Sequence, residues 1–481
     1  MDLPLEPFQP ILSASDRLIP ALRHLDERDG KAVYVVGGCI RDALLLRKIS
    51  DVDLAVDGDG IASARRLADD TRGAFVPLDE TTRTGRAVLH RNWTIDITSL
   101  RGGGIEQDLA CRDFTINAMA VPLSELLAGR PTLIDPFHGC DDLAAHRLRA
   151  LSEQAFVDDP LRLLRAFRFA VVLKLEIDAE TLVWIRRQAP LLPTVSAERI
   201  QEELAAFFSA NGYRPFLPLL WDSGVLPAIL PKKTALSTGR EPVFGVVEGI
   251  NRLLDGVAGE DPLALRMPLA HLAELRVCGN RTWIWLLHLA ATLLDLMGDS
   301  DLLEQTSESY PRSDRLSEVE GVLQGSLKPW TSELATANLR LSNRERQALL
   351  CLTLWPVRLI EMDSEGGASD DRLYDIARDA HAELPGAVAL TWSLAAKGGR
   401  ATASLSAQLA RLLWIQGRRR SLSAEPPLLT GVDLMETCHL APGPILGYLL
   451  ATIERHRTLN RLSTREEAID LALRLLAEQS T

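Results

Sequence analysis

VVGGCIRDALLLRKISDVDLAV, residues 35–56, decides the reading of this chain. Val33 to Val36 is a short apolar run and reads as a buried strand. Gly37 and Gly38 follow as a tight turn, and Arg41 to Leu46 reads as a helix. A strand, a glycine turn and a helix N-terminus together aim backbone N–H groups at an anion. Asp51 and Asp53 then alternate with apolar residues. Alternation on a strand puts both carboxylates on one face. Like charges side by side repel, and burial sharpens the repulsion. A divalent metal is the usual reason to keep such a pair. A phosphate cradle beside metal-binding carboxylates points to chemistry on a nucleotide.

The rest of the chain bounds that reading. Its 481 residues exceed one hydrophobic core, so several domains are expected. Hydrophobic content of 46% with 25% charged residues is ordinary for a globular protein. The N-terminus has no basic and apolar leader pattern, and no run approaches the roughly 20 apolar residues of a membrane span. Six cysteines are scattered without a CxxC pair, which reads as reduced thiols, no zinc site and a cytoplasmic protein. The net charge of −12 argues against a nucleic-acid coat protein but not against an enzyme with one basic face.

Residues 1–150 mix strands, expected at 33–36, 52–56, 74–78, 86–90 and 93–98, with helices at 15–29, 39–46, 60–71 and 113–121. From about residue 158 the apolar spacing is helical. Linkers are expected near 231–243, 298–314 and 421–428. The fold class is therefore α+β: a mixed-sheet head over 1–150, then a helical neck (151–230), body (231–420) and tail (421–481).

Four groups carry chemistry. Asp51 and Asp53 suit the metal-ligand role, and Asp96, in the apolar frame TIDITSL, completes a third carboxylate. Gly37, Gly38, Arg41 and Asp42 form a phosphate-facing turn, with Asp42 orienting Arg41. RDFTINAMA (112–120) offers Arg112 to a triphosphate and Asp113 to a ribose hydroxyl, with Asn117 one helical turn on; Asp113 equally suits a helix N-cap. In DDPLRLLR, Asp159, Arg162 and Arg165 recur every three residues. A carboxylate accepts from the amine of C or A, and a guanidinium donates to the ring nitrogen, whereas U and G mismatch both. Asp159 before Pro160 also fits an N-cap with proline at the first helical position. Arg418, Arg419 and Arg420 are the clearest basic run and a candidate RNA-phosphate contact. Trp283, Trp285 and Trp392 sit in apolar helices and read as core.

The strings GGCIRDALL with DVDLA, RDFTINAMA, DPFHGCDDL, DDPLRLLRAFRFA and SAERIQEEL, in this order across residues 33 to about 208, resemble the class II tRNA nucleotidyltransferases (CCA-adding enzymes) and the related bacterial poly(A) polymerases. The resemblance implies a polymerase-β-like nucleotidyltransferase head with a helical neck, body and tail. It also implies Mg2+ as cofactor, with tRNA, CTP and ATP as partners. By position, Asp51 and Asp53 match the metal ligands, Arg112 and Asp113 the triphosphate and ribose contacts, and Asp159 and Arg162 the base-selecting pair. Cys111 replaces an arginine common in the family, and Asp158 replaces a glutamate. Leu294 stands before Asp295 where hydrolase-bearing relatives have a His-Asp pair, so no hydrolase metal is expected there.

The expected activity is template-independent CCA addition to tRNA. Rivals are CC-only or A-only addition, poly(A) synthesis, and a non-catalytic RNA- or nucleotide-binding protein. A flexible loop between the first two motifs bears on the A step in the family. Its candidate here is DETTRTGR (79–86), which keeps acidic and basic residues.

Overall fold

The computed structural model describes residues 3–13, 16–27, 32–49, 51–89, 93–230, 243–255, 276–278, 281–297, 339–380 and 383–479. The expected linkers at 231–243 and 298–314 lie outside them, Val243 apart. The chain divides into two compact units. The first comprises Met1–Glu203, Ala210–Gly212 and Pro218–Ala228, and the second comprises Leu204–Ser209, Tyr213–Leu217 and Ile229–Thr481.

The first unit is built on one six-stranded sheet. Its strands are β1 (Val33–Val36), β2 (Asp51–Val56), β3 (Ala74–Asp79), β4 (Thr84–Val88), β5 (Thr94–Ser99) and β6 (Ala120–Pro122). Their spatial order is β3-β4-β5-β2-β1-β6. Only the β2–β5 pair runs parallel, so the sheet is mixed. Helices of the head include α1 (Leu18–Glu27), α2 (Gly38–Leu44), α3 (Gly60–Thr71) and α4 (Ile105–Ala110).

Alternation explains which face is buried. Val52 and Leu54 on β2, with Ile95 and Ile97 on β5, are 7% exposed or less. Full burial of such side chains contributes about 1.5–3 kcal/mol each. Helix α3 packs against β4 and β5, and α1 packs against α3. Asp59 caps α3 by accepting from Ala62 N–H. The helix starts at Gly60, where a Cβ would stand 2.4 Å from the Arg83 carbonyl oxygen. No larger residue fits that approach. Asp51, Asp53, Thr94 and Asp96 occupy the opposite face of the sheet.

One expected helix is absent. Residues 113–121 form a single 3-10 turn at Thr115–Asn117 and then strand β6. The apolar spacing imitates a helix, but Ala120–Pro122 pairs with β1 instead. The neck supplies α5 (Gln154–Asp158), α6 (Arg162–Leu173) and α7 (Ala197–Ser209). Asp159 does not take up the alternative role of N-cap of α6. It sits in extended backbone at the C-terminal end of α5, and Leu161 precedes α6.

The second unit is helical. Its body packs α8 (Gly245–Asp255), α9 (Trp283–Met297), α10 (Asn343–Ser364) and α12 (Leu384–Lys397) together; α11 (Asp370–Asp379) and α13 (Ala403–Ser423) pack beside them. A capping box between Ser342 and Glu345 starts α10, and Arg281 reaches the buried Glu345 at 2.8 Å. Trp283 and Trp285 are core, as the apolar spacing predicts, and Trp392 is half-buried. The tail helices α14 (Gly431–Cys438), α15 (Pro444–Thr458) and α16 (Arg465–Gln479) enclose a core of their own around Leu434, Leu449 and Ala468. None of the described helices is long and apolar enough to cross a membrane.

Candidate active site

Strand pairing builds the centre of the site. Asp53 on β2 stands in register with Asp96 on β5, and Asp96 with Arg86 on β4. Arg86 donates to both oxygens of Asp96, at 2.6 and 2.8 Å. Asp51 is exposed at the start of β2, with the Thr94 hydroxyl donating to it. Burial pushes the Asp53 carboxyl up to about 6; Asp96 and Asp51 add to the shift and Arg112 opposes it. A buried carboxylate crowded by two others is a site that a hard divalent cation relieves. Asp51 and Asp53 are oxygen donors of the kind such a metal takes, whereas both Asp96 oxygens are engaged by Arg86, and among the described residues no three His, Cys, Asp or Glu side chains are gathered as a metal-holding group.

Gly37 has φ +79°, and a Cβ there would stand 2.7 Å from Arg112 Nη1 and 3.5 Å from Asp53 Oδ2. Glycine is required both for the turn and for the close approach of Arg112. The Gly37 N–H donates to the Met119 carbonyl, so it is not part of an anion cradle. Arg41 points inward rather than toward a phosphate. It is 8% exposed, chelated by Asp42 at 2.9 and 3.0 Å, and donates to Asn117 Oδ1 at 2.6 Å. These two partners take three of its five N–H donors, so Arg41 ties Asp42 to Asn117 beneath the site.

Asn117 in turn donates to Asp113 at 2.9 Å. Asp113 also accepts twice from Arg165, at 2.9 and 3.1 Å, and from Phe114 N–H. Burial works against the Asp113 carboxylate, but Arg165 and Asn117 outweigh it and hold its pKa below the usual range. Arg112 is oriented by Asp108, 3.0 Å away and four residues earlier. Arg162 donates to the backbone carbonyls of Cys111, Arg112 and Ala155 at 3.1–3.3 Å. Burial pulls its guanidinium below the usual arginine value. Arg162 N–H donates to the Asp159 carbonyl at 3.0 Å, but its guanidinium does not pair with the Asp159 carboxylate, which pairs with Arg199 on α7 at 2.9 Å.

A cavity of about 340 Å³ collects Asp53, Asp96, Arg112, Asp113, Asp159, Arg162 and Arg165. Arg101 and Asp108 also line it and were not singled out in the sequence. The four-residue spacing of Asp108 and Arg112 is the signal that would have found Asp108. Arg199 lies within SAERIQEEL, but nothing in that string reveals its partner. Cys111 exposes its side chain and lends only its carbonyl to Arg162. Asp158 is exposed and accepts from Gln154.

Other expectations are corrected. Residues 79–86 form a tight hairpin between β3 and β4, not a loose loop, because Asp79 accepts from Thr81 N–H at 2.7 Å and closes the turn. Arg418, Arg419 and Arg420 share no single face of α13, since successive helical residues turn by about 100°. Arg419 is half-buried over the Tyr374 ring and bonds the Ala377 carbonyl, Arg418 buries its Nε, and Arg420 is exposed. Asp295 accepts from Val246 and Val247 N–H at the start of α8 and from Lys397 Nζ, so it is engaged in holding helices.

Residues 33–149 match the family described as Poly A polymerase head domain, and residues 174–236 match the probable RNA and SrmB-binding site of polymerase A. Both matched models describe parts of a poly(A) polymerase, and they fall largely in the head and neck segments of this chain. A CC-adding tRNA nucleotidyltransferase of Geobacter sulfurreducens is 42% identical over 47% of this chain and 53% of its own length. An A-adding tRNA nucleotidyltransferase of Deinococcus radiodurans is 29% identical over 90% of this chain and 93% of its own. The chain spans about half the length of the first curated relatives it matches. The fold matches that of a Thermotoga maritima CCA-adding enzyme complexed with tRNA, with TM-score 0.65 and 21% identity over 99% of both chains. Of the strings quoted above, DVDLA, RDFTINAMA and DDPLRLLRAFRFA contribute residues to the cavity lining, and SAERIQEEL supplies Arg199 and Glu203.

Proposed function

We propose that the chain is a template-independent tRNA nucleotidyltransferase that adds CCA to tRNA 3′ ends from CTP and ATP and releases pyrophosphate. One observation carries the reading: a single cavity joins the carboxylates Asp53 and Asp96 to Arg112 and to the Asp159 and Arg162 side chains. Asp51 and Asp53 hold magnesium, with Asp96 beside them. When bound, the metal supplies charge stabilisation to the entering and leaving oxygens of an in-line displacement. Arg112, steadied by Asp108, receives the triphosphate. Asp159 accepts from the exocyclic amine of C or A and Arg162 donates to the ring nitrogen, so no nucleic-acid template is needed. The tRNA 3′-hydroxyl attacks the α-phosphorus. The six scattered cysteines, without a CxxC pair, suit a cytoplasmic enzyme.

A CC-only enzyme is the second reading. It is favoured by the tight hairpin at 79–86 and by the Geobacter relative. Incorporation assays separate the two. Purified protein with magnesium is offered tRNA ending at the discriminator base, tRNA ending in CC, and a generic RNA. Three additions to the first acceptor support CCA addition, and two cytidines alone support the second reading. Long adenosine tails on generic RNA would make it a poly(A) polymerase. No incorporation on any acceptor would overturn both readings.

A further inference from the structure

SAERIQEEL, residues 196–204, has no part in the reaction described above. Arg199 and Glu203 stand four residues apart on α7 and so share one face. Each takes an ionic partner from the base-reading segment. Arg199 Nη2 donates to Asp159 Oδ2 at 2.9 Å. Glu203 accepts from Arg168 at 2.5 Å and lies 3.8 Å from Arg165, which in turn grips Asp113.

Asp159 needs such support. It sits in extended backbone between two helices, so no helix sets its direction. Its Oδ1 accepts from Leu161 N–H at 3.2 Å and its Oδ2 from Arg199. With both oxygens tied, the plane of the carboxylate is fixed. Arg162 is held separately, by the carbonyls of Cys111, Arg112 and Ala155. The backbones of the two are joined, since Arg162 N–H donates to the Asp159 carbonyl, but the two side chains are held by different partners. The Arg199 and Asp159 side chains are 53% and 28% exposed, and an ion pair so exposed adds little to fold stability. Its value lies in orientation.

We propose that Arg199 is a positioning residue for nucleotide selection, holding the Asp159 carboxylate as an acceptor facing the cavity. This rests on the base-selecting role given above to Asp159. A fixed carboxylate meets the carbonyl of U or G with repulsion. A carboxylate free to swing aside leaves room for water, which can donate to that carbonyl, and the refusal weakens.

The test is steady-state kcat and KM for CTP, ATP, UTP and GTP on a tRNA acceptor, with wild type, Arg199→Ala, Arg199→Lys, Asp159→Ala and the double variant Asp159→Ala/Arg199→Ala. Arg199→Ala is expected to raise KM for CTP and ATP about tenfold and to cut the CTP-over-UTP preference by about tenfold, with kcat within about twofold. Arg199→Lys restores part of the preference, and the double variant behaves as Asp159→Ala alone. An unchanged preference in Arg199→Ala, or additive losses in the double variant, overturns the inference. If the wild type does not prefer CTP and ATP, the reading beneath it fails instead. A fall in melting temperature of Arg199→Ala that Arg199→Lys reverses without restoring selection would assign the pair to folding and also overturn it.

Discussion

Arg86 on β4 grips Asp96 on β5 with both carboxylate oxygens engaged, and Asp96 stands in register beside Asp53 on β2. One guanidinium thus offsets one of three neighbouring carboxylates. Arg86→Ala removes that charge from the edge of the proposed metal site. At a partly solvated position this is worth about 1 kcal/mol, or about fivefold in divalent-ion affinity. Calorimetric titration with magnesium or manganese is expected to show tighter binding by that factor. Unchanged affinity would separate Asp96 from the metal carboxylates.

Asp53 carries an opposite prediction for stability and for activity. Its carboxylate is buried and crowded by Asp96 and Asp51. Asp53→Asn keeps the shape and removes the repelled charge. Without added metal the variant is expected to unfold later than wild type, by about 1 kcal/mol or more in urea. Its nucleotide incorporation falls by at least about a thousandfold. Normal incorporation by this variant would overturn the proposed metal role of Asp53.

Arg162 lines the cavity, where its removal costs selection, and it bonds three backbone carbonyls, whose loss of a donor costs stability as well. Arg162→Ala is expected to lose the preference of CTP and ATP over UTP and GTP by about 100-fold. Single-nucleotide incorporation with each labelled nucleotide measures it. A variant that still refuses UTP while taking CTP as well as before contradicts the base-reading role.

Much of this architecture was legible in residue order. Val33–Val36 was read as a strand to the residue because four apolar residues bounded by Gly37 leave little choice, and Asp51 with Asp53 followed from alternation alone. Strand partners were not legible, because the register that sets Asp96 beside Asp53 is a long-range contact with no local code. Residues 113–121 misled because helical apolar spacing also suits a turn followed by a buried strand. Arg41 and Arg419 show the same limit for charge. An arginine reads as a surface contact until its buried partners, Asn117 for one and the Tyr374 ring for the other, are seen. Pro356 lies inside α10, where local propensity alone would have ended the helix.

His288 gives the helical unit an acid sensitivity. The ring is buried, bonds the Phe208 carbonyl through Nδ1, packs on Tyr213 and leaves Nε2 without a partner among the described residues. Burial, with Arg214 adding, lowers its pKa to about 4. The unfolded chain, with an ordinary histidine value near 6.5, binds the proton first. The neutral ring's stability is therefore full above about pH 6.5 and is lost as pH falls toward about 4, on the order of 3 kcal/mol in all. Urea unfolding at pH 7 and pH 5 measures the slope. His288→Met is expected to flatten it, and an equal slope in both proteins would assign the acid loss to other groups.

The tail is held to α11 largely by charge. Arg461 chelates Asp371 at 2.8 and 2.9 Å, and Arg455 reaches Asp375 at 2.6 Å. Arg455 and Arg419 both lie over the Tyr374 ring, each 5.3 Å from its centre. The apolar residues of the tail close around Leu434 and Leu449 in a cluster of their own. Ion pairs this exposed contribute about 0.2–1 kcal/mol each and weaken with salt, since the screening length falls from about 10 Å at 0.1 M to about 3 Å at 1 M. Cation–π contacts add about 0.5–2 kcal/mol and are less screened. Proteolytic clipping near 424–430 is therefore expected to quicken severalfold between those salt concentrations. The double variant Arg455→Ala/Arg461→Ala should be clipped at low salt as fast as wild type is at high salt. Clipping that ignores both salt and the double variant would mean that apolar contacts, not this clasp, hold the tail.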